Sequence, residues 1–193
     1  MNLAARPWII TAILGLLAGC SDPLEDRLIK EFEGYKTKAE RGDVQAQDKL
    51  AEKYYTGKGV ERDQVQAVFW YRKAAEQGYA PAQSNLALCY MIGTGVAKDE
   101  AQAISLYRKA AEQGYAPAQS FLGVCYLCGW GVAKDEIEAY ALHSLARTED
   151  VSRKWLAILE KRMSRDEIAS GKQRTKQWQK EIEARVAAKT AGK

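Results

Sequence analysis

Residues 78–84 read Gly-Tyr-Ala-Pro-Ala-Gln-Ser, and residues 114–120 repeat this string without a change. The interval of 36 residues also relates positions well outside the string. It connects the glycine-valine turns at 57–60, 93–96 and 129–132, and the aspartates that follow them, Asp63, Asp99 and Asp135. A constant interval of this length indicates a repeat protein, in which each unit buries its apolar face only by stacking on its neighbours.

Each unit is predicted to fold as a pair of helices. In the middle unit the first helix carries a stripe of residues spaced by four, Ala82, Leu86 and Tyr90. The Gly-x-Gly-Val turn ends this helix, because glycine readily adopts the left-handed conformation that terminates helices. The aspartate after the turn is the predicted N-cap of the second helix. The spacing therefore predicts an all-α protein built from stacked helical hairpins.

This pattern closely resembles the Sel1-like repeat, a relative of the tetratricopeptide repeat, over residues 43–147. The resemblance implies a right-handed α-solenoid of about three helical-hairpin repeats, with the first helix of each hairpin on the concave side. A lipid-anchored N-terminus with a capping half-repeat helix is predicted at 20–42, and basic C-terminal capping helices at 150–193. The three repeats between them are predicted at 43–78, 79–114 and 115–149.

The first twenty residues predict a cellular location. The apolar run at 9–18 is shorter than the roughly 20 residues that a membrane-spanning helix needs. Residues 17–20, Leu-Ala-Gly-Cys, resemble a bacterial lipobox, which implies a signal peptide over 1–19 and lipidation of Cys20. An ordinary signal peptide with a coincidental cysteine is the alternative. Ser21 favours the outer over the inner membrane, so we expect a lipid-anchored, periplasm-facing protein of the cell envelope.

Composition argues against several classes of function. The net charge of +4 is small for a nucleic-acid interface, and a single histidine cannot build a multi-histidine metal site. Cys125 and Cys128 form a Cys-x-x-Cys pair, but zinc would need a second pair. We predict no cofactor, no metal, no nucleic acid, no small-molecule substrate and no enzymatic activity. A hydrolase or redox enzyme stays an alternative only if Cys128 or His143 is exposed, with the two close together.

The residues that differ between the copies predict a partner-binding face. They lie on the first helix, opposite the constant stripe, where the shared architecture does not require any particular side chain. This face becomes more apolar toward the third copy, and an exposed apolar concave face is typical of a protein-binding site. The alternative is that the C-terminal helices cover it. The predicted partner-binding residues are Asp48, Glu52, Tyr55, Ser84, Leu88, Met91, Ile92, Ser120, Phe121, Val124 and Leu127.

These features together predict a lipoprotein that binds a protein partner through a preformed concave face. One role that fits is an immunity protein, since small lipoproteins with such repeats resemble the partners of type VI secretion lipase effectors. The other is an assembly or scaffold factor of a cell-envelope or secretion complex.

Overall fold

The structure is a computed structural model that describes residues 22–191, so the predicted signal peptide and Cys20 lie outside the described range. Within that range the chain forms nine helices and no strand. They are α1 (Pro23–Glu40), α2 (Val44–Thr56), α3 (Gln64–Glu76), α4 (Ala80–Ile92), α5 (Glu100–Ala111), α6 (Ala116–Cys128), α7 (Glu136–Leu145), α8 (Asp150–Arg162) and α9 (Arg165–Ala191). None of these helices is both long and apolar enough to cross a bilayer.

The helices stack as an array of hairpins. The pairs α2–α3, α4–α5 and α6–α7 pack within each repeat, while α3 packs on α4 and α5 packs on α6 between repeats. A continuous core follows the array, because each repeat contributes buried alanine and leucine side chains to the interface with the next. The predicted fold class, an all-α solenoid of three hairpin repeats with terminal helices, is confirmed. We call the surface formed by α2, α4 and α6 the first-helix face.

The Gly-x-Gly-Val turns hold the repeats at close distance. The first glycine of each turn is the C-cap of the first helix, with φ near 75°. The second glycine faces the preceding second helix, and a Cβ at Gly95 would lie 2.1 Å from the carbonyl oxygen of Gln64. Gly59 meets the Leu28 carbonyl in the same way, although Leu28 belongs to α1. The helix α1 therefore occupies the position of a second helix, as expected for a half-repeat.

A row of glutamine side chains joins successive repeats. The Nε2 groups of Gln47, Gln83 and Gln119 each donate to an alanine carbonyl of the preceding second helix, at 3.2 Å. Gln77 and Gln113 in turn donate to Gln47 and Gln83. The row ends in the third repeat, where Glu149 stands at the equivalent position and its side chain has no N–H to donate. We call these residues the glutamine row.

The C-terminal helices close the array on its second-helix side. The helix α8 packs against α7, and the long helix α9 also lies along α7. Trp178 of α9 enters the core beside Tyr107 and Leu142, and its indole N–H donates to Glu138 at 2.8 Å. Arg174 donates to the other carboxylate oxygen of Glu138 at 2.6 Å. These contacts fix α9 on the outside of the third repeat.

Candidate protein-binding surface

An open groove follows the first-helix face where the first repeat meets the second. Its volume is near 490 Å³, and four tyrosines contribute to its walls, so we call it the tyrosine groove. The predicted residues Asp48, Glu52, Tyr55 and Leu88 all line it. The remaining lining residues are Lys49, Tyr71, Tyr79, Pro81, Asn85, Cys89 and Tyr115. Tyr79 and Tyr115 were not predicted, because they are equivalent residues of the repeated string and the prediction selected residues that differ between the copies.

The acidic side chains of the tyrosine groove differ in how they are compensated. Glu52 forms an ion pair with Lys49 at 2.8 Å, and both side chains are about half exposed. Asp48 is only 6% exposed, and its Oδ1 accepts one hydrogen bond, from the Asn85 side chain at 3.1 Å. Burial raises the pKa of Asp48, which the Asn85 hydrogen bond partly offsets. The groove thus contains a buried carboxylate whose one hydrogen-bond donor is neutral.

Two further predicted residues belong to a separate apolar patch. Met91 and Ile92 end the helix α4, and Ile92 is 54% exposed. They share a shallow depression with Trp130, which lies in the turn of the third repeat and is 48% exposed. Trp130 was not predicted, since the turn position it occupies holds Lys58 and Thr94 in the other copies. This patch lies at the turn edge of the array rather than in the tyrosine groove.

The third repeat places its predicted residues differently. Phe121 is 46% exposed, and its ring stacks on the buried Tyr107 at a centroid distance of 5.6 Å. Val124 is half-buried, and Leu127 packs beside Leu159 and Met163 near the end of α8. Ser84 and Ser120, the fifth residues of α4 and α6, are buried at 5% and 6% exposure. These two serines therefore lie below the accessible face rather than on it.

The C-terminal helices leave the first-helix face open. The helix α9 packs on α7, a second helix, and its contacts continue along that side to Glu112 and Gly114. Phe121 and Ile92 keep roughly half of their surface in solvent. The helices α8 and α9 therefore do not bury the predicted binding face, contrary to the alternative. They cover it only in part, at Leu127.

Of the residues considered for catalysis, His143 and Cys125 pack in the interior, whereas Cys128 is half-buried. His143 is completely buried, its Nδ1 lies 3.0 Å from the Ser152 hydroxyl, and Trp155 stacks on its ring. Burial raises the pKa of the Cys125 thiol to about 12, which keeps it protonated. Cys89, Cys125 and Cys128 are free thiols. Across residues 22–191, no three side chains of His, Cys, Asp or Glu come together as a metal site would require. His143 therefore fails the exposure that the enzymatic alternative requires.

The buried histidine predicts a specific loss of stability in acid. Desolvation lowers the pKa of His143 to about 4, so between pH 6.5 and 4 the unfolded chain binds a proton that the native chain does not. The free energy of unfolding should fall across this range by an amount on the order of 2–3 kcal/mol from this residue. Urea unfolding of wild type and His143→Leu at several pH values isolates the effect. Equal slopes for the two proteins between pH 6.5 and 4 would contradict it.

Comparison with known proteins agrees with the geometry. The Sel1 repeat profile matches residues 44–79, 80–115 and 116–150. No curated protein matches the sequence. A Sel1 repeat protein from Oxalobacter formigenes is 38% identical, with a TM-score of 0.59, and the match covers 66% of this chain and 98% of that one. A protective antigen of uropathogenic Escherichia coli, described as displaying an SLR fold, is 30% identical, with a TM-score of 0.60. That match covers 94% of this chain but 46% of the antigen.

An immunity protein from Pseudomonas aeruginosa is more distant, at 22% identity and a TM-score of 0.34, and the match covers 81% of this chain and 84% of that one. A likeness of this size bears no weight for function. The repeat profile, by contrast, covers more than half of the chain, in the register that the turns and caps display. The chain is a member of the Sel1 repeat family.

Proposed function

We propose that this protein is a lipid-anchored component of the bacterial cell envelope that binds a partner protein through its first-helix face. The observation that carries the proposal is the open tyrosine groove, where side chains that differ between the repeats, such as Asp48, Tyr55 and Leu88, lie beside constant tyrosines. A solenoid holds such a surface rigid, so little conformational entropy is lost when the partner binds. The exposed Phe121 and the patch at Ile92 extend the surface beyond the groove.

Charges introduced on this face should prevent binding. Leu88 lines the tyrosine groove and Val124 lies on the same face of the next repeat, and both side chains are half-buried. In the variant Leu88→Glu with Val124→Glu, the partner would have to desolvate two carboxylates, so we expect at least a hundredfold loss of affinity. Affinity is measured by isothermal titration with the partner protein that copurifies from native membranes.

The matched control carries the same changes on the opposite side of the molecule. Val65 and Val186 are exposed residues of α3 and α9, which do not contribute to the first-helix face. The variant Val65→Glu with Val186→Glu should bind like wild type. Circular dichroism must show native helix content in both variants. Equal affinity of the two folded variants would refute the proposed face.

The lipid anchor has its own test. Cys20 precedes the described structure by two residues, and the lipobox resemblance is what supports its acylation. Cys20→Ser should move the protein from the membrane fraction to the soluble periplasmic fraction, since the acyl chains would be lost. Metabolic labelling with a palmitate analogue reports the modification directly. Unchanged fractionation and unchanged labelling would mean that the cysteine is not an anchor.

Two biological roles are separated by the identity of the partner. Full-length tagged protein is purified from native membranes, and the bound proteins are identified by mass spectrometry. A single stoichiometric toxin, with rescue of toxin-treated cells on co-expression, supports an immunity protein that neutralises a periplasmic type VI secretion lipase effector. A set of envelope or secretion components supports the scaffold role. The double glutamate variant shows which of the recovered proteins depend on the first-helix face.

A further inference from the structure

Stacked rings connect the second repeat to the third and the third repeat to α8, but within residues 22–191 none connects the first repeat to the second. Where the second repeat meets the third, Phe121 stacks on Tyr107. Where the third repeat meets α8, Trp155 stacks on His143 at a centroid distance of 6.4 Å. Tyr71 is the equivalent of Tyr107 one repeat earlier, and Asn85 is the equivalent of Phe121. The first interface thus has an amide where the second has an aromatic ring, and the tyrosine groove opens there.

A carboxylate replaces the serine of the other copies at this interface. Asp48 corresponds to Ser84 and Ser120, so the shared architecture does not require an acid at the position. Burying a carboxylate is costly unless charge and hydrogen bonds compensate it. Asp48 accepts a hydrogen bond from Asn85 at Oδ1, whereas its Oδ2 accepts none within residues 22–191 and keeps contact with solvent. The neighbouring Lys49 attracts the carboxylate and so lowers the pKa of Asp48, but its ammonium group forms its ion pair with Glu52.

A second polar group, the Tyr71 hydroxyl, faces the same space and, unlike the equivalent hydroxyl of Tyr107, keeps contact with solvent. Tyr71 is 4% exposed and lines the tyrosine groove, yet its hydroxyl makes no hydrogen bond within the described chain. The carboxylate of Asp48 is close enough to Tyr71 to raise its pKa further, after desolvation. The free carboxylate oxygen of Asp48 and the hydroxyl of Tyr71 both keep contact with solvent in the groove, between the half-buried rings of Tyr55, Tyr79 and Tyr115. A ligand with several hydrogen-bond donors and a positive charge would complement them.

We propose that the tyrosine groove receives an arginine side chain of the partner protein, whose guanidinium donates hydrogen bonds to Asp48 between the tyrosine rings. This inference rests on the proposed function and names the anchor residue of the same surface. Arginine fits better than lysine, because its planar guanidinium offers five donors and also packs favourably against aromatic rings. The partner arginine would compensate a carboxylate that is poorly compensated in the free protein. Asp48 therefore lowers the stability of the free protein but raises its affinity for the partner.

The test uses the full chain in detergent and a random peptide library displayed on phage. We expect the selected peptides to share an arginine, and a synthetic peptide to bind wild type in isothermal titration. Asp48→Asn retains the shape of the side chain and should weaken that binding at least tenfold, without lowering the urea midpoint of the free protein. Changing the peptide arginine to citrulline should cost as much, and combining both changes should cost little more.

Asn85→Phe is an independent second variant. It copies Phe121 of the third repeat, so the new ring should stack on Tyr71, close the groove and abolish peptide binding in a folded protein. Glu76→Gln, an exposed carboxylate on α3 outside the groove, should bind like wild type. Selected peptides without arginine, or equal affinity of Asp48→Asn and wild type, would overturn the inference. If Leu88→Glu with Val124→Glu still abolishes partner binding in that case, the proposed face stands and only the arginine is wrong.

Discussion

Gly95→Ala is expected to lower the free energy of unfolding by about 2–5 kcal/mol. The new methyl group would lie 2.1 Å from the carbonyl oxygen of Gln64 and 2.5 Å from its carbon, and these are backbone atoms that no rotamer change can move. Gly95 also has a φ of 69°, where a side chain alone costs roughly 1–2 kcal/mol. Separation of the α3 and turn backbones would add roughly 1–3 kcal/mol or more. Urea unfolding followed by circular dichroism measures the sum.

The control for this effect is a glycine with the same conformation and open surroundings. Gly78 has a φ of 80°, and a Cβ there would meet no atom within 4 Å. Gly78→Ala should cost only the conformational part, about 1–2 kcal/mol. If the two variants lose the same stability, the close approach of the turn to the preceding helix is not what requires glycine at position 95.

Trp178→Ala is expected to lower the free energy of unfolding by about 3–5 kcal/mol and to release α9 from the array. Deleting a buried indole leaves a cavity beside Tyr107 and Leu142, which costs this much in protein cores. It also removes the N–H donor at 2.8 Å from Glu138 and the ring that lies 5.2 Å from the Arg174 guanidinium. Limited trypsin digestion should then cleave within 172–189 before any repeat is cleaved.

A second tryptophan provides the comparison. Trp130 is half exposed in the turn of the third repeat, so Trp130→Ala should change the free energy of unfolding by about 0.5 kcal/mol or less. If trypsin cleaves α9 equally slowly in Trp178→Ala and in Trp130→Ala, Trp178 does not hold the helix on the array. Glu138→Gln separates the indole contact from the charge, because a glutamine oxygen can still accept from Trp178 while its pairing with Arg174 is weakened.

The repeated part of the fold could be predicted because each element appears three times. The positions of the caps Asp63, Asp99 and Asp135 follow from the constant interval, and the structure has each of them accepting from the next helix. The interval also predicted α1, since Phe32 and Ala39 align with buried residues of the second helices. Local rules of helix termination act in the same way in every copy, so sequence spacing is sufficient for them.

The C-terminal part could not be placed in this way. Residues spaced three and four apart from Ile168 to Val186 indicate one packing seam on α9. The sequence does not indicate which helix of the array this seam contacts, because residues after 150 have no second copy with which to align. The structure shows the seam packed on α7 through Gly171 and Trp178, whereas Val186 is exposed. The contacts that direct α9 to this side join residues 36 to 40 positions apart, such as Glu138 with Arg174 and Trp178.

The candidate site was predicted in part for a related reason. Comparison of the copies found Asp48, Glu52, Tyr55 and Leu88, which vary between repeats and meet in one groove. The comparison of copies did not find Tyr71 and Tyr79, since both recur in the next repeat, as Tyr107 and Tyr115. Which constant residue is covered depends on the side chain that stacks on it from the next repeat, such as Phe121 on Tyr107. Whether a constant tyrosine is covered thus depends on a pair of residues from two repeats. A comparison of single positions between the copies cannot predict it.

The glutamine row also determines where this protein could grow by duplication. A further copy of residues 80–115 inserted before the third repeat would bring its own Gln83 and Gln113, and every link of the row would be restored. A copy added after the third repeat would find Glu149 in place of the donor glutamine, and the carbonyl equivalent to the accepting alanines would be that of Arg147, which lies beyond the end of α7. Longer descendants of this chain should therefore arise by internal insertion, with α8 and α9 carried along unchanged as the terminal unit.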